Sequence, residues 1–260
     1  MKRSSGARLC ATAAVGALSL VLVTGCSDDG SKKDSKGSSK GSDSSSASSA
    51  PAAKALTAAE LEKLLLAQGE VKGYKVDSGD DTLPKSKSDV KTDKPACDPL
   101  AWATAGLAPG ETGANASNSV AEDKVSDATA QPEDIADAFD IDMTFVGLSS
   151  YEGDGAEKAM KALADGVTAC SAGYGLATGG EDSKVTKVAS EKGSGLGDES
   201  VAFSEDVDMD GEGSATFHTD VVRKGNTIAT FYTVNFASLG SGKAADIPAA
   251  VVQAQVAKLK

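Results

Sequence analysis

The run Ala215-Thr216-Phe217-His218-Thr219-Asp220-Val221-Val222-Arg223-Lys224-Gly225-Asn226-Thr227-Ile228-Ala229-Thr230-Phe231-Tyr232-Thr233-Val234-Asn235-Phe236 alternates twice. Ala215, Phe217, Thr219 and Val221 share one parity, and Ile228, Thr230, Tyr232, Val234 and Phe236 share the next. Successive side chains of a strand point to opposite faces, so this period of two reads as two strands. Between them stands Lys224-Gly225-Asn226, a Gly-Asn turn of the kind that closes a tight hairpin. His218, the single histidine, falls on the face opposite Phe217.

Upstream, Lys184 to Ser190 and Val201 to Ser204 also read as strands. Strands that follow one another without a helix between them cannot be parallel neighbours, which need a long crossover. Before them, Asp154 and Glu157 carry a capping signal, and Met160, Leu163, Val167 and Cys170 recur at spacings of three and four. This predicts a helix with Cys170 on its buried stripe, at the last turn. Phe139, Ile141, Met143 and Phe145 alternate with Asp140, Asp142 and Thr144, which predicts a half-buried strand with a solvated acidic side. A further strand is expected near Val120 to Val125. Residues 106–118, rich in Gly, Ala, Asn and Pro, and the polar residues 77–95 read as loops. Asp98-Pro99 starts a helix, Asp as cap and Pro in the first turn, with Cys97 just before it. Gly73 to Val76 reads as a short strand. Thr57 and Glu60 form a capping box, Leu56 stapling onto Leu61, ahead of a Leu61, Leu64, Leu65 face. Downstream, a last helix is expected from Asp246 to Lys260. The order predicts an α+β fold, an antiparallel sheet with helices packed mainly on one face, over residues 51–260 as one domain.

The rest of the chain is different in kind. Lys2, Arg3 and Arg8, the apolar run Leu9 to Val23 and the small residue Gly25 before Cys26 make residues 1–25 an export signal. Leu22-Val23-Thr24-Gly25-Cys26 reads as a lipobox: cleavage before Cys26, which then carries acyl chains such as palmitate. Residues 26–50 are the lipidated cysteine and a Ser/Gly/Lys tether with almost no apolar side chain, too polar to order itself. The expected location is the outer face of the cytoplasmic membrane, held there by lipid. Cys10 leaves with the signal and Cys26 is lipidated. For Cys97 and Cys170 the default in an oxidising compartment is a disulfide, two buried thiols being the alternative.

The net charge is −12, and removal of the three basic residues Lys2, Arg3 and Arg8 takes it to −15. A domain this acidic repels nucleic acid, so nucleic acid is excluded as a partner. The expected partners are the membrane, through the anchor, and a small molecule or envelope protein.

Several segments together carry a family resemblance. They are the lipobox and tether, the Leu-rich helix leading to Gly73-Tyr74, Cys97-Asp98-Pro99-Leu100, and the helix ending in Cys170. Leu196-Gly197-Asp198-Glu199 and Val222-Arg223-Lys224-Gly225-Asn226 complete the set. Residues 56–260 resemble actinobacterial lipoproteins described as sensor-domain-containing. Those are similar to the extracellular sensor domain of a mycobacterial receptor serine/threonine kinase. The resemblance implies ligand or partner sensing at the envelope, without a kinase domain in this chain. The kinase sensor domain is expected to have two disulfides; this chain has cysteines for one.

Motifs for chemistry are sparse. Asp206-Val207-Asp208-Met209-Asp210-Gly211 matches the first half of a calcium loop, which makes Asp206, Asp208 and Asp210 candidate ligands. The twelfth position, where a bidentate Glu belongs, is Phe217, and the bland reading is an acidic loop between strands. Gly193-Ser194-Gly195-Leu196-Gly197 lacks dinucleotide-binding spacing. A hydrolase triad would have to use His218, and no G-x-S-x-G elbow accompanies it. Asp198 is expected to cap backbone N–H groups from a tight turn. Trp102 and Tyr232 are the candidate ligand-contacting residues, Trp102 and Tyr74 lying near the cysteine pair. No cofactor is expected. The function that follows is a non-enzymatic, sensor-like binding module; an envelope hydrolase and a purely structural lipoprotein are the alternatives.

Overall fold

The computed structural model describes residues 54–78, 83–123, 140–209, 213–239 and 243–260. The signal, Cys26 and the tether lie outside the described residues, as do Phe139 and Asp210. Among the described residues, no helix is long and apolar enough to cross a membrane.

The hairpin is present as read. Its strands are β8 (Ser214–Lys224) and β9 (Thr227–Asn235), paired from His218 opposite Thr233 to Lys224 opposite Thr227. Gly225 takes the positive φ, 58°, that a two-residue turn demands. Around it the described chain builds one nine-stranded sheet. The other strands are β1 (Tyr74–Asp77), β2 (Val90–Thr92), β3 (Ala114–Glu122), β4 (Asp142–Ser150), β5 (Tyr174–Thr178), β6 (Glu181–Glu191) and β7 (Glu199–Asp208). The order across the sheet is β1-β3-β4-β9-β8-β7-β6-β5-β2, and every neighbouring pair is antiparallel. Among the described residues the α-helices are α1 (Ala58–Glu62), α2 (Asp98–Thr104), α3 (Gly155–Ala169) and α4 (Ala249–Lys258). The class is α+β with a large antiparallel sheet.

The helices are not gathered on one face, and here the sequence reading is corrected. Val221 and Ile228 pack with residues of α2 and α3 in one apolar cluster. Their chain neighbours Val222 and Ala229 pack with α1 and α4 in another. Adjacent strand residues point to opposite faces, so the sheet is covered from both sides. That also corrects the reading of β4. Phe145 and Val146 are both buried although they point opposite ways: Phe145 packs with Leu83, Tyr232 and Val234, and Val146 with the α1 and α4 cluster. Of the acidic residues, Asp142 is the first residue of β4 and Asp140 precedes it.

β3 reaches Glu122, overlapping the strand expected near Val120 to Val125, but it begins at Ala114, inside the stretch 106–118 that reads as loop. Its Asn, Ser and Ala residues have little intrinsic strand preference. The ladder with β4 overrides that, and the Asn118 side chain donates to the Leu66 carbonyl at 2.8 Å. β5, which opens with Tyr174-Gly175, and the three-residue β2 are likewise decided by their partners. At helix ends the local signals divide: Asp98, read as the cap of α2, is its first residue, and Cys97 takes the cap position. Thr57 and Glu60 form both bonds of the capping box. Asp154 precedes α3 without a side-chain cap bond and pairs with Lys158 instead. The helix expected from Asp246 starts at Ala249, after Pro248. Buried Gln255 ties α4 to the segment that follows α1: it accepts from Leu66 N and donates to Leu64 O.

Cys97 and Cys170 form a disulfide across 73 residues. It joins the start of α2 to the end of α3. Gly147 then lets the end of α2 press onto the sheet. A Cβ at Gly147 would lie 2.4 Å from the Gly106 carbonyl oxygen and 2.5 Å from Thr230 Oγ1, a clash that only glycine avoids.

Candidate functional site

Where α2 crosses the sheet, the packing leaves a cavity of about 940 Å³. Its floor is the sheet face that carries Phe145 of β4, Tyr232 and Val234 of β9, Phe217 of β8 and Glu205 of β7. Its sides are Ala101 and Thr104 of α2 with Ala105 just beyond, Leu176 of β5, and Leu83. Two features of the chain keep it open. The disulfide and Gly147 set the height of α2, and small residues, Ala101 and Thr104 of that helix and Ala105 just after it, stand where larger ones would fill the gap.

The lining is mostly apolar, with one buried polar cluster. Phe145 and Tyr232 stack with ring centroids 4.8 Å apart and planes 19° from parallel. Beside them Glu205, 2% exposed, accepts a hydrogen bond from Tyr174 Oη at 2.6 Å and another from Thr104 Oγ1 at 2.8 Å. Thr104 and Thr219 share a further bond of 3.1 Å. Burial pushes the Glu205 carboxyl above the usual carboxylate range, and the bonds from Tyr174 and Thr104 oppose that shift. Burial, followed by the neighbouring Glu205 charge, pushes the Tyr174 phenol far up, so it stays a donor. An apolar chamber with few placed polar groups is the usual form of a small-molecule site.

The residues singled out from sequence divide. Tyr232 lines the cavity. Trp102 does not. Lys87 Nζ sits 3.9 Å from the centroid of its ring, and its buried indole nitrogen has no hydrogen-bond partner among the described residues. The described part of the calcium motif is strand, not loop. Asp206 and Asp208 belong to β7, opposite Thr216 and Ser214, and Asp206 accepts from Thr216 Oγ1. Among the described residues no group of three His, Cys, Asp or Glu side chains is placed to hold a metal ion.

His218 is on the reverse face from the cavity, since Phe217 lines it. Its Nδ1 meets the Glu191 carboxylate at 2.8 Å. Asp198 accepts from the hairpin-turn amide of Gly225 at 2.7 Å, and Arg223 Nε pairs with Glu199 at 3.2 Å. These contacts fasten the segment before β7 to the hairpin, a structural use of both motifs.

Glu205, Tyr174 and Thr104 were not singled out from sequence. One signal was available. Val201, Phe203 and Val207 share a parity in β7, and Glu205 takes the inward position between them. A carboxyl in an apolar register is a departure that asks for a reason.

No family model matches the chain, and no curated protein matches it. Similar solved structures include the extracellular domain of PknH from Mycobacterium tuberculosis, with a TM-score of 0.45 and 14% identity over 79% of this chain and 95% of that one. A second is an uncharacterized protein, the Rv0999 ortholog, from Mycobacterium smegmatis, with a TM-score of 0.33 and 13% identity over 78% of this chain and 94% of that one.

Proposed function

We propose that this chain is a lipid-anchored, extracytoplasmic binding module, sensor-like and without catalysis of its own, whose folded part takes a small molecule into the cavity beneath α2. The observation that carries this reading is the cavity itself: roomy, walled by aromatic and aliphatic side chains, and provided with one buried carboxyl held by two hydroxyls. The export signal and lipobox supply the location. His218, the one histidine that a hydrolase triad would need, stands on the opposite side of the sheet and is engaged by Glu191.

The test is a thermal-shift screen of the full chain against cell-wall fragments and lipids, run beside an Ala105→Trp variant that fills the cavity. A ligand at 100 times its Kd should add roughly 2.7 kcal/mol of stability, and Ala105→Trp should abolish the shift. A shift that persists in Ala105→Trp, or no shift with any compound, would overturn the reading. Turnover of an ester or glycan that is lost in His218→Ala would replace it with the hydrolase.

A further inference from the structure

Among the described residues, no cationic side chain pairs with the Glu205 carboxyl. Its hydrogen-bond partners, Tyr174 and Thr104, are neutral hydroxyls. Taking a carboxylate out of water with no opposing charge is costly, and the position lies in an apolar register where a valine would pack without that cost. The other ionisable side chains that line the cavity have the same sign. Glu181, Asp182 and Asp208 stand exposed at its mouth, and the described lining holds no Lys, Arg or His. Lys184, opposite Asp208 on the ladder, is exposed and outside the lining. A cleft of one sign with low-dielectric walls concentrates its field, so this one favours a cation and repels carboxylates and phosphates. Phe217, directly across the ladder from Glu205, and the stacked Phe145 and Tyr232 add ring faces, which attract cations.

Building on the binding function above, we propose that the cavity takes an apolar or aromatic molecule bearing a protonated amine. The ammonium bonds Glu205, and the body of the molecule lies against Phe145, Tyr232 and Leu176. The ligand supplies the positive charge that the fold does not.

Three probes with a common body separate charge from apolar contact: phenylbutylamine, phenylbutanol and phenylbutyrate. Each is titrated into the purified full chain at neutral pH and low ionic strength, and binding is read by ligand-observed NMR. The amine should bind roughly tenfold more tightly than the alcohol, with the carboxylate weakest. Glu205→Gln should bring the amine down to the affinity of the alcohol and leave the alcohol unchanged. Should Glu205→Gln fail to fold, a Glu181→Gln, Asp182→Asn double variant serves. It alters exposed positions only, and it should narrow the amine's advantage by about twofold and weaken its salt dependence. Equal binding of amine and alcohol, a preference for the carboxylate, or no binding of any of the three would overturn the cation assignment. The binding function itself stands or falls separately, on the Ala105→Trp comparison.

Discussion

Glu205 occupies the register position that Val201 and Phe203 hold earlier in β7, so its carboxyl turns inward with their side chains. Burial raises its pKa in the folded chain, and the groups that face it, Tyr174, Thr104 and, behind Thr104, Thr219, are uncharged. The native state therefore keeps this proton at pH values where the unfolded chain has lost it. Between the unfolded value, about 4.3, and the higher folded value, the native state binds more protons, and stability falls as pH rises across that window. Below the window the contribution is fully present. Glu205→Gln cannot titrate, so its stability should be the flatter of the two. Urea midpoints of both proteins from about pH 4 to about pH 8 measure this. The wild-type midpoint should drop relative to the variant as pH rises; parallel curves would show that another group titrates.

The two elements that matter most for the site are the β8–β9 hairpin and α2, and they are held in different ways. The hairpin is held by its own ladder, its Gly225-Asn226 turn and the Asp198 clamp, all of which are local signals. α2 spans only Asp98–Thr104, too short to be stable alone, and depends on the disulfide to α3 and on the close approach at Gly147. Closing a loop of 73 residues is worth roughly 4 kcal/mol in the chain-entropy model. A Cys97→Ala, Cys170→Ala double variant should lose stability of that order by urea unfolding. It should also lose ligand-induced stabilisation, because the helix that roofs the cavity is no longer tied down. Full stability in that variant would mean that packing alone positions α2.

At the scale of the whole molecule, the proposed function sets the folded part at a membrane surface through a lipid on Cys26. Two or three acyl chains on Cys26, each methylene adding about 0.8 kcal/mol of membrane affinity, would hold it there. Cys26→Ala should abolish incorporation of labelled fatty acid and leave the chain unprocessed at this site. Continued labelling with normal processing would place the anchor elsewhere.

Period-two alternation made the hairpin legible, and spacings of three and four did the same for the helix ending at Cys170, because both patterns are local responses to a buried face. The cysteine pairing was legible by elimination once export was read. The lipobox remains a reading of sequence alone, since its residues lie outside those described. Only the tertiary structure decided that helices cover both faces of the sheet, that Asn- and Ser-rich β3 is a strand, and that Glu205, Tyr174 and Thr104 meet at one cavity. Glu205 and Tyr174 are 31 residues apart, and Glu205 and Thr104 are 101 apart. No periodicity within a single element encodes that meeting. It arises from the strand order and from α2 lying across it, held by a disulfide at one end and by the missing Cβ of Gly147 at the other.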